Sequence, residues 1–194
     1  HLSSRRQRQM CIRDRGGLGA SIKPKQPSGP PIWIGGDVIS AVKRAAKLGC
    51  PWIIPPTITF NDIAIRINAY EQTIKTLGNE KVKGQPLIRE LAIGRTKQEA
   101  FEVARKPLLA KYESYATWGQ TDTKKERTLS DTFEEFCRDR FIIGDEQEVV
   151  DEILKYKESF GVDNLLVRVQ WPGLGQGEVL KTLDHLGKII ATVS

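Results

Sequence analysis

Among 194 residues there are three cysteines, two histidines and one methionine. Three cysteines cannot build a disulfide framework. One histidine is the first residue, which leaves His185 as the only imidazole of the body. No spacing of Cys, His, Asp and Glu suits a metal, no Ser-His-Asp set is present, and there is no Cys-x-x-Cys pair. No apolar run approaches the roughly 20 residues that a membrane span needs. The four tryptophans are scattered and form no basic–aromatic platform for nucleic acid. The rest is ordinary: 39% apolar and 28% charged, which excludes disorder, collagen and low complexity. The length suits one domain with a real core, or a piece of a larger one.

The net charge of +6 hints at nucleic acid. It is local, however. Residues 1–15 hold Arg5, Arg6, Arg8, Arg13 and Arg15 against Asp14. Without them, 25 basic and 23 acidic residues leave +2. The stretch from Ser3 to Arg15 has no apolar periodicity and resembles the translation of a transposase-based sequencing adapter. It is set aside as non-native, and residues 16–194 are read as the domain. The competing reading is a natural basic arm for nucleic acid. Met10 is the only methionine and lies in that stretch. The native frame is therefore expected to begin upstream of Gly16 or with an unusual start codon, and this chain is read as the C-terminal part of a longer protein. The body's two cysteines, Cys50 and Cys137, suit a reducing compartment, the cytoplasm.

After a Gly/Pro/Lys-rich lead-in (16–31), a strand–helix cycle repeats. Ile32-Trp33-Ile34 reads as a short strand buried on both faces, closed by Gly35-Gly36. Asp37 is expected to cap the next helix, with Val38, Val42, Ala45 and Leu48 as its stripe and Gly49 as its stop. Trp52-Ile53-Ile54 is a second strand, closed by Pro55-Pro56. Asn61 is expected to cap a helix with Ile63, Ile67, Tyr70, Ile74 and Leu77 on one face, ending at Gly78. Leu87–Ile93 is a third strand. Thr96 and Glu99 form a capping box, and Pro107 requires a new first turn or a kink. Gly119–Ser130 reads as an insertion, and 132–143 as partly helical. Asp145 and Glu148 form another capping box, before Val149, Ile153, Tyr156 and Phe160. Asn164–Trp171 is a fourth strand, and the last helix carries Val179, Leu183, Leu186 and Ile190. Four strands alternating with helices predict α/β architecture with a parallel sheet. Either the sheet is small and open, or it is half of an eight-stranded barrel.

Ligands in such folds sit at the C-terminal ends of strands. Gly35-Gly36, between a strand and a helix start, offers free N–H groups that suit a phosphate, or else is a simple tight turn. Asp37 beside it would repel a phosphate unless turned away to cap. Arg168 in an apolar strand needs a partner. It either pairs with Glu90 or meets an anionic ligand. Trp171 either stacks on a planar ring or closes the barrel, and packing is the favoured reading. The carboxylates from Glu134 to Glu148 read as solvated faces and caps.

Three stretches carry a family resemblance. They are Pro30-Pro31-Ile32-Trp33-Ile34-Gly35-Gly36 with Ala41–Gly49; Pro86-Leu87-Ile88-Arg89-Glu90 with Tyr115–Gln120; and Asp139–Gly144 with Val167-Arg168-Val169-Gln170-Trp171-Pro172-Gly173. In order and spacing they resemble the C-terminal half of luciferase-like flavin-dependent monooxygenases. The resemblance implies the later half of a (β/α)8 TIM barrel that binds reduced flavin mononucleotide (FMN) or a deazaflavin. It implies oxidation of a small organic substrate, with O2. Gly35, Gly36 and Asp37 would match the phosphate turn; the family often has a small or hydroxyl residue where Asp37 stands. Arg89, Glu90, Arg168 and Trp171 would line the pocket. A flavin reductase and a homodimer of the full-length protein are the implied partners. The 119–130 insertion would be a lid. No catalytic base carries over, and the fragment alone is expected to be inactive. The alternative functions are a non-catalytic flavin- or ligand-binding protein of the same fold, and a nucleic-acid-binding domain. The body's charge speaks against the last.

Overall fold

Alternation along each short strand decides the architecture, because neighbouring side chains point to opposite faces of a sheet. The computed structural model describes residues 25–26, 29–78, 82, 84–117 and 133–193, with side chains through 190. The chain divides into two units, His1–Ile32 and Trp33–Ser194. In the first, the Gly29 N–H donates to the Gln26 carbonyl at 3.0 Å, closing a turn.

The second unit runs α1 (Ile39–Lys47), α2 (Phe60–Leu77), β1 (Pro86–Ile93), α3 (Lys97–Thr117), α4 (Phe133–Cys137), β2 (Ile142–Gly144), α5 (Glu146–Phe160), β3 (Asn164–Arg168) and α6 (Gln176–Val193). β1 is central and parallel to both neighbours. Leu91–Ile93 pairs with β2, and Pro86–Glu90 with β3. Ahead of β1, the two expected strands shrink to single parallel bridges, Ile34 to Trp52 and Ile54 to Leu87. Pro51, Pro55 and Pro56 flank the second segment and have no N–H to extend a ladder. The chain is therefore an α/β fold of parallel strands alternating with helices, as expected. The β2 strand was not anticipated. Three residues give no period to read.

One sheet face packs Ile34, Trp52, Ile54, Leu87, Leu91 and Ile93 under α1, α2, α5 and α6. The opposite face carries Trp33, Ile53, Ile88, Glu90, Ala92, Leu166 and Arg168 by alternation. Near Ala92 it is covered by α3 and α4, through Ala100, Ala104, Leu108, Tyr112, Phe133 and Trp171. Elsewhere it is open: Trp33 is 39% and Leu166 36% exposed. We call it the inner face.

Several ends match expectation. Gly78 and Gly161 close α2 and α5 in the left-handed conformation, and Asp145 with Glu148 makes a reciprocal capping box. Asp145→Ala is expected to lower stability by about 1 kcal/mol in urea unfolding. Other ends differ. Thr59, not Asn61, caps α2, because its hydroxyl accepts the Asp62 N–H at 3.2 Å. At α3, Thr96 accepts from the Glu99 N–H, but the Glu99 carboxylate reaches back to the Arg95 N–H, one residue off a full box. α3 also runs on through Pro107, which is buried inside it. Its packed ring offsets the missing hydrogen bond. α1 turns Ala41, Val42, Ala45 and Ala46 inward and leaves Val38 and Leu48 exposed. Leu77, Leu183 and Ile190 likewise point outward; Val179, Thr182 and Ile189 form the inward line of α6. β3 ends at Arg168, since Trp171 leaves the ladder to enter the cluster under α3. The 119–130 insertion lies outside the described residues.

Candidate functional site

Glu90 is fully buried on the inner face, in the middle of β1. A carboxylate there is tolerated only if its oxygens are satisfied. Oε1 accepts from Lys111 Nζ at 2.8 Å, from the Tyr112 hydroxyl at 2.9 Å and from Arg168 Nη2. Oε2 accepts from Trp171 Nε1 at 2.6 Å. Three elements converge: β1 gives the acid, β3 and its exit give Arg168 and Trp171, and α3 gives Lys111 and Tyr112. Burial, with the Glu90 charge beside it, holds the Tyr112 hydroxyl far above its ordinary range, so it stays a donor. Burial also pulls the Lys111 amine down, with Glu90 opposing that pull.

Of the two alternatives for Arg168, a pair with Glu90 or an anionic ligand, the pair with Glu90 is present. Trp171, 2% exposed, is a packed indole bonded to Glu90. Arg89 corrects an expectation. Alternation places it on the face opposite Glu90, fully buried beneath the helices rather than lining the inner face. Its Nη1 donates to Pro55 O at 3.0 Å, its Nη2 to Ile58 O at 3.3 Å and its Nε to the Tyr156 hydroxyl at 3.1 Å. Arg89 therefore holds the loop that leaves the second strand. Lys111 and Tyr112 were not singled out as site residues. Both lie on a helix whose path over the inner face no periodicity reveals.

The glycine turn is separate from this cluster. Gly35 and Gly36 are exposed, and Gly36 has φ +135°. A Cβ there would lie 2.5 Å from that of Ala41, so the turn needs bare backbone to bend directly into α1. Trp52 Nε1 donates to the Gly36 carbonyl at 2.7 Å, and Arg66 Nε to the Asp37 carbonyl at 2.5 Å. The Asp37 capping expectation fails: Val38 occupies the N-cap, no side chain caps α1, and no acid sits in its first turn. The positive end of the α1 dipole is thus left uncapped by any carboxylate.

A cleft of about 280 Å³ opens beyond Ile93 and Gly94, between the starts of α3 and α6. Its polar side chains pair off: Arg95 with Glu99 at 3.0 Å, Lys181 with Glu178 at 2.8 Å, and the His185 ring with the Glu146 carboxylate at 2.6 Å.

Residues 13–164, more than three quarters of the chain, match the luciferase-like monooxygenase family. The chain belongs to that family. No curated protein matches it. Among solved structures it is similar to a monooxygenase from Streptomyces bottropensis, at TM-score 0.71 and 14% identity over 89% of this chain and 50% of that one. It is also similar to the oxygenating constituent of 3,6-diketocamphane monooxygenase from Pseudomonas putida, a structure in complex with FMN (TM-score 0.64, 15% identity, 85% and 49% covered). A third is the coenzyme F420 dependent tetrahydromethanopterin reductase from Methanopyrus kandleri (TM-score 0.60, 18%, 87% and 52%). The chain thus spans about half the length of the luciferase-like TIM-barrel enzymes it resembles. Their cofactors are FMN or the deazaflavin F420. Among the described residues, no helix is long and apolar enough to cross a membrane.

Proposed function

We propose that this chain supplies the cofactor-phosphate turn and one wall of the reaction chamber of a flavin- or deazaflavin-dependent monooxygenase acting on a small organic molecule. The observation that carries the reading is the Gly35-Gly36 turn: bare, exposed, bent where any Cβ would clash, and opening onto an uncapped helix start. The residues present fit a flavin nucleotide. Backbone N–H groups of the turn and the α1 dipole would take its phosphate, with Arg66 beside the turn. Asp37 caps nothing, so its carboxylate is not drawn away from the turn; it is exposed, and solvent screening is what weakens its repulsion of a phosphate. When bound, the flavin supplies the redox chemistry with O2. The chain's own part is to bind, orient and shield. The Glu90 cluster fixes Arg168 on the inner face, while Ile88 and Leu166 form an apolar wall that excludes water. A flavin reductase, a homodimer and a cytoplasmic setting belong to this reading of the longer protein.

The test is titration of FMN and of F420 with this chain, followed by flavin fluorescence. Saturable quenching is expected with one of the two. Gly36→Ala should weaken it at least tenfold, because φ +135° strains any residue with a Cβ by about 1–3 kcal/mol. No quenching with either cofactor, or an unchanged affinity in Gly36→Ala, refutes the phosphate turn. Binding by the longer protein without substrate turnover would favour a binding protein over an enzyme.

A further inference from the structure

The Glu90 cluster carries more positive than negative charge. One carboxylate faces two cations, Lys111 and Arg168, and both bond to the same Oε1. The Lys111 side chain is 10% exposed, and the charges acting on it are those of Glu90 and Arg168. One positive charge is therefore left over in a partly dehydrated place. Among the described residues, Arg168 bonds through Nη2 alone, to Glu90 and, at 3.5 Å, to the Tyr112 hydroxyl. Its Nη1 makes no hydrogen bond to the described residues, and its Nε is buried without an acceptor. A buried donor left unmet is costly. Glu90 cannot swing to meet it, because Lys111, Tyr112 and Trp171 hold both carboxylate oxygens. Next to the guanidinium, Ile88 and Leu166 pair across β1 and β3 and form an apolar floor on the same face.

A planar cationic fork beside an apolar floor, with one surplus charge, matches a monoanionic carboxylate on an apolar body. We infer that the inner face binds an organic acid through its carboxylate, with Arg168 as the binding residue and Glu90 as the positioning residue. This rests on the reading above that the inner face is the substrate wall. It adds the substrate class.

The test uses this chain labelled with 15N, observing the arginine Nε–H and tryptophan indole resonances. The probes are benzoate, the neutral isostere benzamide, inorganic phosphate and FMN. Benzoate is expected to shift the Arg168 Nε–H saturably, at least tenfold tighter than benzamide. Arg168→Met should abolish the preference. Arg168→Lys, which keeps the charge and loses the fork, should retain part of it. The Trp171 indole signal reports that each variant keeps the cluster folded. Equal binding of benzoate and benzamide overturns the inference, as does benzoate binding that survives Arg168→Met. Displacement of benzoate by equimolar phosphate or by FMN assigns Arg168 to another anion and also overturns it. If FMN binds nowhere while benzoate still selects Arg168, the flavin reading falls and the carboxylate site stands. If FMN binds and benzoate leaves Arg168 untouched, the inference alone falls.

Discussion

Glu90→Ala is expected to destabilise the chain by about 3–5 kcal/mol, the cost of leaving buried charges without their partner. Lys111 and Arg168 would lose the carboxylate they share, and the Tyr112 hydroxyl and Trp171 Nε1 would lose their acceptor. A domain of this size has roughly 5–15 kcal/mol in all, so a large part of the population would unfold under mild conditions. Urea unfolding followed by tryptophan fluorescence measures the change. Glu90→Gln should not rescue it. An amide keeps the shape, but it neutralises neither cation, and its NH2 opposes at least one of four donors. Lys111→Met should be far milder, about 1 kcal/mol, because Glu90 keeps three donors and an amine whose charge burial disfavours is removed. A loss below about 1 kcal/mol for Glu90→Ala would show that the carboxylate does not anchor the cluster.

How far the sequence reveals this site depends on the range of each contact. The helix ends at Gly78, Gly161 and Asp145 rest on residues within one turn, and they were legible. The Glu90–Arg168 pair spans 78 positions, yet it was foreseeable from chemistry, because a charged residue in an apolar strand must find its opposite. Lys111 and Tyr112 were not. Whether α3 crosses the inner or the outer face is settled by where Ala100, Ala104 and Leu108 find a surface to cover, and that surface is assembled from β1, β2 and the Trp171 turn. Local signals also misled at Asp37, a good cap by type. Gly36 bends the chain so that the first helical turn starts one residue later. The first two strands read as full strands from their apolar runs, but prolines beside them cut the ladder to single bridges.

Arg89 shows what adjacency in sequence conceals. It is next to Glu90, and the resemblance assigns both to the pocket, but the period of two sends them to opposite sides of β1. There Arg89 satisfies the carbonyls of Pro55 and Ile58, bonds the Tyr156 hydroxyl and lies over that ring at 4.9 Å. Burial pulls its guanidinium below the ordinary arginine range, against the pull of Tyr156. The charge is kept because a fixed fork reaches four acceptors at once, the Ile88 carbonyl at 3.1 Å being the fourth. Arg89→Lys should therefore behave as a disruptive change. A compact ammonium cannot span Pro55, Ile58 and Tyr156 together. At least one buried carbonyl would lose its donor at about 1–3 kcal/mol, and the stacking over Tyr156 would weaken. We expect a total loss of about 2–4 kcal/mol in urea unfolding. Faster amide exchange should appear at Ile54 and Ile88, whose N–H groups bridge the second strand to β1 just before the held loop. FMN binding at the glycine turn should change less than stability, since Arg89 touches neither Gly35 nor Gly36. A lysine variant as stable as the parent would mean that the loop after Ile54 holds its shape without Arg89.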